Sequence, residues 1–274
     1  MSEPEPVTYS SVDGLDARLD GAALRLVLDR PDKRNAINDS MMVALIDAFE
    51  AAGSDERVRV IALEGRGEHF CGGADIVARN ADRNVKPRTG SIQRRLPTQA
   101  HRLVPLMCSV QVPVVCKVRG WAAGIGFQLA LAADFTVAER GARFWEPFAE
   151  RGFTPDSGAT WLLPRRVGVA RARELLLLGR ALDGAEAAAW GVAHRAVDAS
   201  ELDNVAEELV QQLASGPTVA LGLTKWLLDA GASAPLDAQL ANEALAMELS
   251  SRTDDFREGL RAFAERRQPK FEGR

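Results

Sequence analysis

The sequence predicts an α/β fold that gives way to helices alone toward its C-terminus. Three observations carry this. Short strand-like runs alternate with helical ones through most of the chain, two glycine-rich turns directly follow predicted strands, and beyond about residue 200 only the helical period remains.

In chain order, Ala22 to Asp29 (AALRLVLD) alternates and is rich in branched residues, which predicts a strand. Asn38 or Asp39 then caps a helix whose apolar face is Met42, Leu45, Ile46 and Phe49, and Gly53 stops it. Arg57 to Glu64, Val112 to Val118 and Asp134 to Ala138 read as three further strands. Between the second and third strands runs Val77 to Ala100, with Arg79, Arg83, Lys86, Arg88, Arg94 and Arg95 against Asp82 alone. It reads either as a solvated loop entering a helix near Ser91 or as a flap whose cations meet an anionic ligand. Past residue 200, Leu202, Val205, Ala206, Leu209 and Leu213 share one helix face, and Leu236, Leu240, Ala244 and Met247 another. Asp255 and Glu258 make a start signal for a last helix, Phe256 to Glu265. A tail this apolar needs a partner surface, on its own domain or on a neighbouring subunit. Two regions are therefore expected, 1–200 and 201–274.

Composition excludes several function classes. The 274 residues are 46% apolar and 26% charged, ordinary for a globular chain and unlike extended disorder. Gly120 to Ala133, the longest nearly uncharged run, is too short for a bilayer and contains Gln128, so no membrane span is expected. The first residues, Met-Ser-Glu-Pro-Glu-Pro, lack the features of a signal peptide, which points to a cytoplasmic protein. A net charge of −4 provides no global basic field, so nucleic acid is not an expected partner. Cys71, Cys108 and Cys116 form no CxxC pair, and with His69, His101 and His194 they show no ligand spacing. No metal is expected.

The chemistry-bearing candidates lie at turns. Phe70-Cys71-Gly72-Gly73-Ala74-Asp75-Ile76 and Gly120-Trp-Ala-Ala-Gly124-Ile125-Gly126 each allow a ligand close to backbone N–H groups. In the second, the amides near Ile125 open a helix and suit an anion or a developing oxyanion. A dinucleotide fingerprint fails there, because Leu129 stands where the third glycine belongs. Asp156 or Ser157 reads by composition as a helix N-cap, with Glu146 and Glu150 as further carboxylates nearby. The basic run Arg30-Pro-Asp-Lys33-Arg34-Asn35 and the C-terminal Arg266 to Phe271 read as a solvated turn and a frayed tail. Trp121, Trp145, Phe148 and Trp161 are either core or the lining of an aromatic acyl pocket.

Taken together these segments resemble the crotonase superfamily, the enoyl-CoA hydratase/isomerase family, from about residue 6 to 273. The carriers are Leu28-Asp-Arg-Pro-Asp-Lys-Arg-Asn-Ala-Ile-Asn38, the two glycine-rich turns, Phe144 followed by Asp156-Ser-Gly158, and the closing Glu258 to Phe271. The resemblance implies an α/β crotonase (ClpP-like) spiral of ββα units with a C-terminal helical trimerisation segment, assembled as a homotrimer or a hexamer. It implies an acyl-CoA substrate, with coenzyme A part of that substrate and no separate cofactor. By position, Ala74 and Ile125 would hold the thioester oxygen. Lys33, Arg34 and Ala36 would lie near the adenosine 3′-phosphate and adenine, and Lys270 and Phe271 would reach the coenzyme. Asp75, Ile76, Gly124, Gln128 and Phe148 complete the implied substrate contacts.

Two departures matter. Hydratases of this family use two glutamates, and the corresponding positions here are Gln128 and Phe148. An amide cannot exchange a proton near neutral pH, and a phenyl ring can neither exchange one nor orient water. Asp156 resembles instead the aspartate of isomerase members, ring-1,2-epoxyphenylacetyl-CoA isomerase and Δ3,Δ2-enoyl-CoA isomerases among them. Pro155 to Pro164 is similar to theirs throughout. Isomerisation through a single carboxylate is therefore expected. Hydration through Glu146 or Glu150, and acyl-CoA binding without turnover, are the alternatives.

Overall fold

The computed structural model describes residues 7–76 and 88–274. Its main sheet has six strands in the order β1-β2-β3-β4-β6-β9. β1 (Leu15–Asp20) and β2 (Ala23–Leu28) form an antiparallel hairpin in which Asp20 pairs with Ala23. β1 was not among the expected strands, although Asp20-Gly21 is a hairpin signal and Gly21 takes the positive φ of 59° that the turn requires. β3 (Val60–Gly65), β4 (Val114–Val118), β6 (Phe135–Glu139) and β9 (Arg195–Val197) then add in parallel. β3 starts later than expected because Asp55 captures both the backbone N–H and the guanidinium of Arg57, curling that residue into a turn.

A second, smaller layer explains the spiral. β5 (Trp121–Ala123), β7 (Arg143–Trp145) and β8 (Leu182–Asp183) form a three-stranded sheet. Isolated parallel bridges extend the layer backward, pairing Cys71 with Ala122 and Ile37 with Ala74. Successive turns of chain thus give one extended segment to each layer and then a helix. Among the described residues the α-helices of this part are α1 (Asp39–Ala52), α2 (Ser91–Arg95), α3 (Ala100–Ser109) and α4 (Ile125–Ala132), then α5 (Ala159–Val167), α6 (Val169–Leu178) and α7 (Gly184–Ala189). α1 is capped by the Asn38 side chain, which accepts from the Met41 N–H at 2.9 Å. The flap residues Arg79, Arg83 and Lys86 lie outside the described residues.

Beyond residue 200 the chain is helical, as expected: α8 (Leu202–Ala214), α9 (Thr218–Gly231), α10 (Leu236–Ser250) and α11 (Asp254–Glu265). α8 covers the main sheet, with Leu202 and Ala206 on Val137 and with Val210 and Leu213 beside Val60 and Val115. α11 begins two residues before the expected Phe256, and its cap is Thr253, whose hydroxyl accepts from the Phe256 N–H. Asp255 is buried instead, accepting from the Glu272 and Gly273 amides, so the C-terminal tail is tied down rather than frayed. No helix among the described residues is long and apolar enough to cross a membrane.

Candidate active site

The two glycine-rich turns lie side by side. The Cys71 N–H donates to Trp121 O, and the Ala123 N–H to Cys71 O, both at 2.9 Å. A side chain at Gly126 would put its Cβ 2.6 Å from the Cys71 carbonyl oxygen, so only glycine lets the turns meet. Ala74 and Ile125 each stand three residues past the bridged Cys71–Ala122 pair, and so run in step. Ile37 takes the carbonyl of Gly73 and the N–H of Asp75, which turns the Ala74 N–H to the opposite side. Ile125 opens α4, where an N–H has no intrahelical acceptor. Gly124 at φ 52° makes that helix start possible.

A cleft of about 820 Å³ opens at the first turn. It brings together the expected Lys33, Arg34, Ala36, Ala74, Asp75 and Ile76, joined by Arg151 and Phe153 from another segment. Lys33 and Arg34 are exposed at its rim. The Asp75 carboxylate is buried and engaged by Arg30 at 2.9 Å, while Arg30 also donates to the Ala36 carbonyl. Asp75 therefore fixes the basic loop against the turn, and its side chain is a brace. Buried Asn35 does the same from inside, donating to the carbonyls of Arg66 and His69. No sequence signal singled out Arg151 or Phe153.

Asp156 is not a helix cap. Gly158 occupies the cap position of α5 with no side-chain hydrogen bond, which corrects the compositional reading. Among the described residues, the half-buried Asp156 carboxylate accepts a side-chain hydrogen bond only from the Ser157 hydroxyl, at 2.8 Å on Oδ1. Ser157 has φ 54°, a left-handed conformation uncommon outside glycine.

Gln128 meets Glu146, not Phe148. Both are wholly buried, and Gln128 Nε2 donates to both carboxyl oxygens of Glu146, at 2.8 and 2.9 Å. Burial pushes the Glu146 carboxyl well above its ordinary range, the charge of Asp156 pushes the same way, and the Gln128 hydrogen bond opposes them. Gln128 Oε1 is buried with no hydrogen-bond partner. Phe148 is buried with its ring edge-on to Phe153, centroids 5.5 Å apart. Glu150 is exposed and lies against Gly179.

The expected aromatic residues divide. Trp145 donates its indole N–H to Gly179 O and packs edge-on to Trp121, with the Arg151 guanidinium 5.7 Å from its ring. Trp161 is on the surface beneath Arg165. Lys270 and Phe271 do not line the cleft of the same chain; the Phe271 carbonyl is held by Arg59.

Two abutting turns whose Ala74 and Ile125 run in step, and a basic-rimmed cleft at the first of them, belong to a crotonase-type fold. The chain belongs to the enoyl-CoA hydratase/isomerase family, whose model matches residues 20–274. It is 38% identical over 260 residues to the 1,2-epoxyphenylacetyl-CoA isomerase of Escherichia coli (strain K12), covering 94% of this chain and 98% of that one. It is 32% identical over 259 residues to the carnitinyl-CoA dehydratase of Proteus mirabilis (strain HI4320), covering 93% and 96%. An enoyl-CoA hydratase from Polaromonas sp. JS666 superposes with a TM-score of 0.87 at 30% identity, over 94% of this chain and 99% of that chain.

Proposed function

We propose that this enzyme isomerises the double bond of an enoyl-CoA thioester, with Asp156 as the group that removes and returns the proton. One observation carries the reading. Of the carboxylates Glu146, Glu150 and Asp156, only Asp156 combines partial exposure with a carboxyl oxygen, Oδ2, that accepts no hydrogen bond from a side chain among the described residues, and with a charge felt by Glu146. Isomerisation moves a proton from one carbon to another two positions away, so one carboxylate can serve both transfers.

Removing the proton places negative charge on the thioester oxygen. The amides of Ala74 and Ile125 would hold that charge, and a donor of this kind contributes about 2.7–4 kcal/mol to the transition state. Being backbone groups already fixed by the crossed turns, they need no reorganisation when charge develops. Lys33 and Arg34 at the cleft rim suit the phosphates of coenzyme A, and Ala36 the adenine beside them. The apolar residues left bare on α10, Leu236, Leu240 and Met247, support assembly as a homotrimer or hexamer.

Hydration through Glu146 is the second reading, favoured by its coupling to Asp156. Against it, both Glu146 oxygens are taken by Gln128 and neither meets solvent, whereas activating water needs a free oxygen. The deciding experiment follows conversion of a 3-enoyl-CoA to its 2-enoyl isomer and, separately, hydration of a 2-enoyl-CoA, in the parent and in Asp156→Asn. Isomerisation that collapses in the variant is expected. Hydration that survives it would assign the chemistry to Glu146, and no turnover of either substrate by the parent would leave a binding protein.

A further inference from the structure

We propose that Ser157 is the positioning residue of the proton shuttle, its hydroxyl holding one oxygen of Asp156 so that the other serves the substrate. The inference rests on the Asp156 reading above and deepens it.

Ser157 at φ 54° and Gly158 at φ 85° are consecutive left-handed residues, and the Ala159 N–H closes the turn on the Asp156 carbonyl at 3.1 Å. A turn with positive φ at both central positions favours Gly, Asn or Asp. Ser157 adopts it against steric preference while only 3% exposed. Glycine would serve the turn as well or better, so what serine contributes is its hydroxyl. That hydroxyl is buried, needs an acceptor, and donates to Asp156 Oδ1 at 2.8 Å. The turn has little room to shift. A Cβ at Gly158 would meet Val104 of α3 and Leu162 of α5 at 3.5 and 3.6 Å, and both side chains are buried. Strain kept where a side chain grips a reacting group is the pattern of a preorganised site.

The chemistry gives this grip a purpose. In the isomerisation a C–H bond at carbon 2 breaks as an O–H bond forms at Oδ2, and the electron pair passes into the conjugated enolate. The same O–H bond then breaks as a C–H bond forms at carbon 4. Both transfers need one oxygen in one place. A carboxylate free to rotate loses rate without losing substrate affinity, and a hydrogen bond to a charged acceptor is strong enough to prevent that rotation.

The test follows kcat and KM for isomerisation of a 3-enoyl-CoA, together with denaturation midpoints, in Ser157→Gly and Ser157→Ala. Both variants should lower kcat about tenfold and leave KM within about twofold. Their midpoints should part, because glycine relieves the left-handed strain and alanine keeps it. A purely structural serine would instead make kcat follow the midpoint. Added to Asp156→Asn, either substitution should cause no further loss, as expected of a residue that acts through another. If one variant does not fold, the other carries the same comparison. An unchanged kcat, a loss carried by KM, or full additivity with Asp156→Asn would overturn the positioning role and leave the shuttle in place. Isomerisation undiminished in Asp156→Asn would remove the shuttle itself, and the positioning role with it.

Discussion

Asp156 and Glu146 feel each other's charge but differ in enclosure. Glu146 follows β7 directly, is sealed beneath the second layer and has both oxygens bound by one amide. Asp156 comes from the loop before α5, is half exposed, and receives one hydroxyl hydrogen bond. Burial favours the neutral form of a carboxyl and access to water favours the anion. Burial thus holds the Glu146 carboxyl well above its ordinary range, with the Gln128 hydrogen bond opposing. The contrast teaches that carboxylate count alone says little about mechanism here; enclosure decides which group can exchange a proton with substrate.

The comparison breaks most sharply at Asp156. Asp156→Asn should lower kcat for isomerisation by about 10²–10⁴-fold, the usual weight of a general acid–base group. Its denaturation midpoint should move little, within about 0.5 kcal/mol, because the side chain is half exposed. Equal losses in activity and stability would mean that Asp156 is a structural residue.

Glu146 should show the reverse balance. Glu146→Ala opens a cavity and strands the Gln128 amide, and urea unfolding should reveal a loss of about 2–4 kcal/mol. A variant as stable as the parent would show that the buried pair contributes nothing to the fold.

At the rim the effects are smaller. Arg34→Ala should raise KM for the CoA thioester roughly three- to tenfold at low ionic strength, with the difference shrinking as salt screens the exposed charge. Thioesters lacking the nucleotide should be indifferent to it. An equal effect on both would move Arg34 out of the coenzyme contact.

The smallest effect is a pH dependence. The folded protein holds the Glu146 proton more tightly than the unfolded chain, whose ordinary value is 4.5. As pH rises above that value the unfolded state loses its proton first, and the parent's stability falls accordingly. Glu146→Gln carries no such proton, so its stability relative to the parent should rise as pH increases above 4.5 in urea titrations. A flat difference would indicate that Glu146 is ionised in the fold.

Much of this was legible in the chain itself. The Asn38 cap, the apolar stripe of α1 and the Gly53 stop depend on residues within a turn or two of each other, so local pattern suffices. The same holds for the two turns that carry Ala74 and Ile125, where glycines mark the close approach. Family likeness pointed at Gln128 and Phe148 as a pair, and the fold joined Gln128 to Glu146 instead. The reason is register: β5 and β7 pair with Ala123 opposite Trp145, which sets the next residue, Glu146, beside the start of α4. Phe148, two residues further along, packs on Phe153.

α8 and α10 mark the same boundary in the helical region. Both carry an apolar stripe that the sequence predicts, yet α8 buries Leu202, Ala206, Val210 and Leu213 on the sheet while α10 buries only Ala246. The sequence by itself determined the elements, their caps and the amide-bearing turns, because these follow from short-range sterics and hydrogen bonding. Which carboxyl is sealed, which helix face is covered and which cations share a cleft were decided only by the tertiary structure, since burial depends on segments far apart in the chain coming to lie on one another.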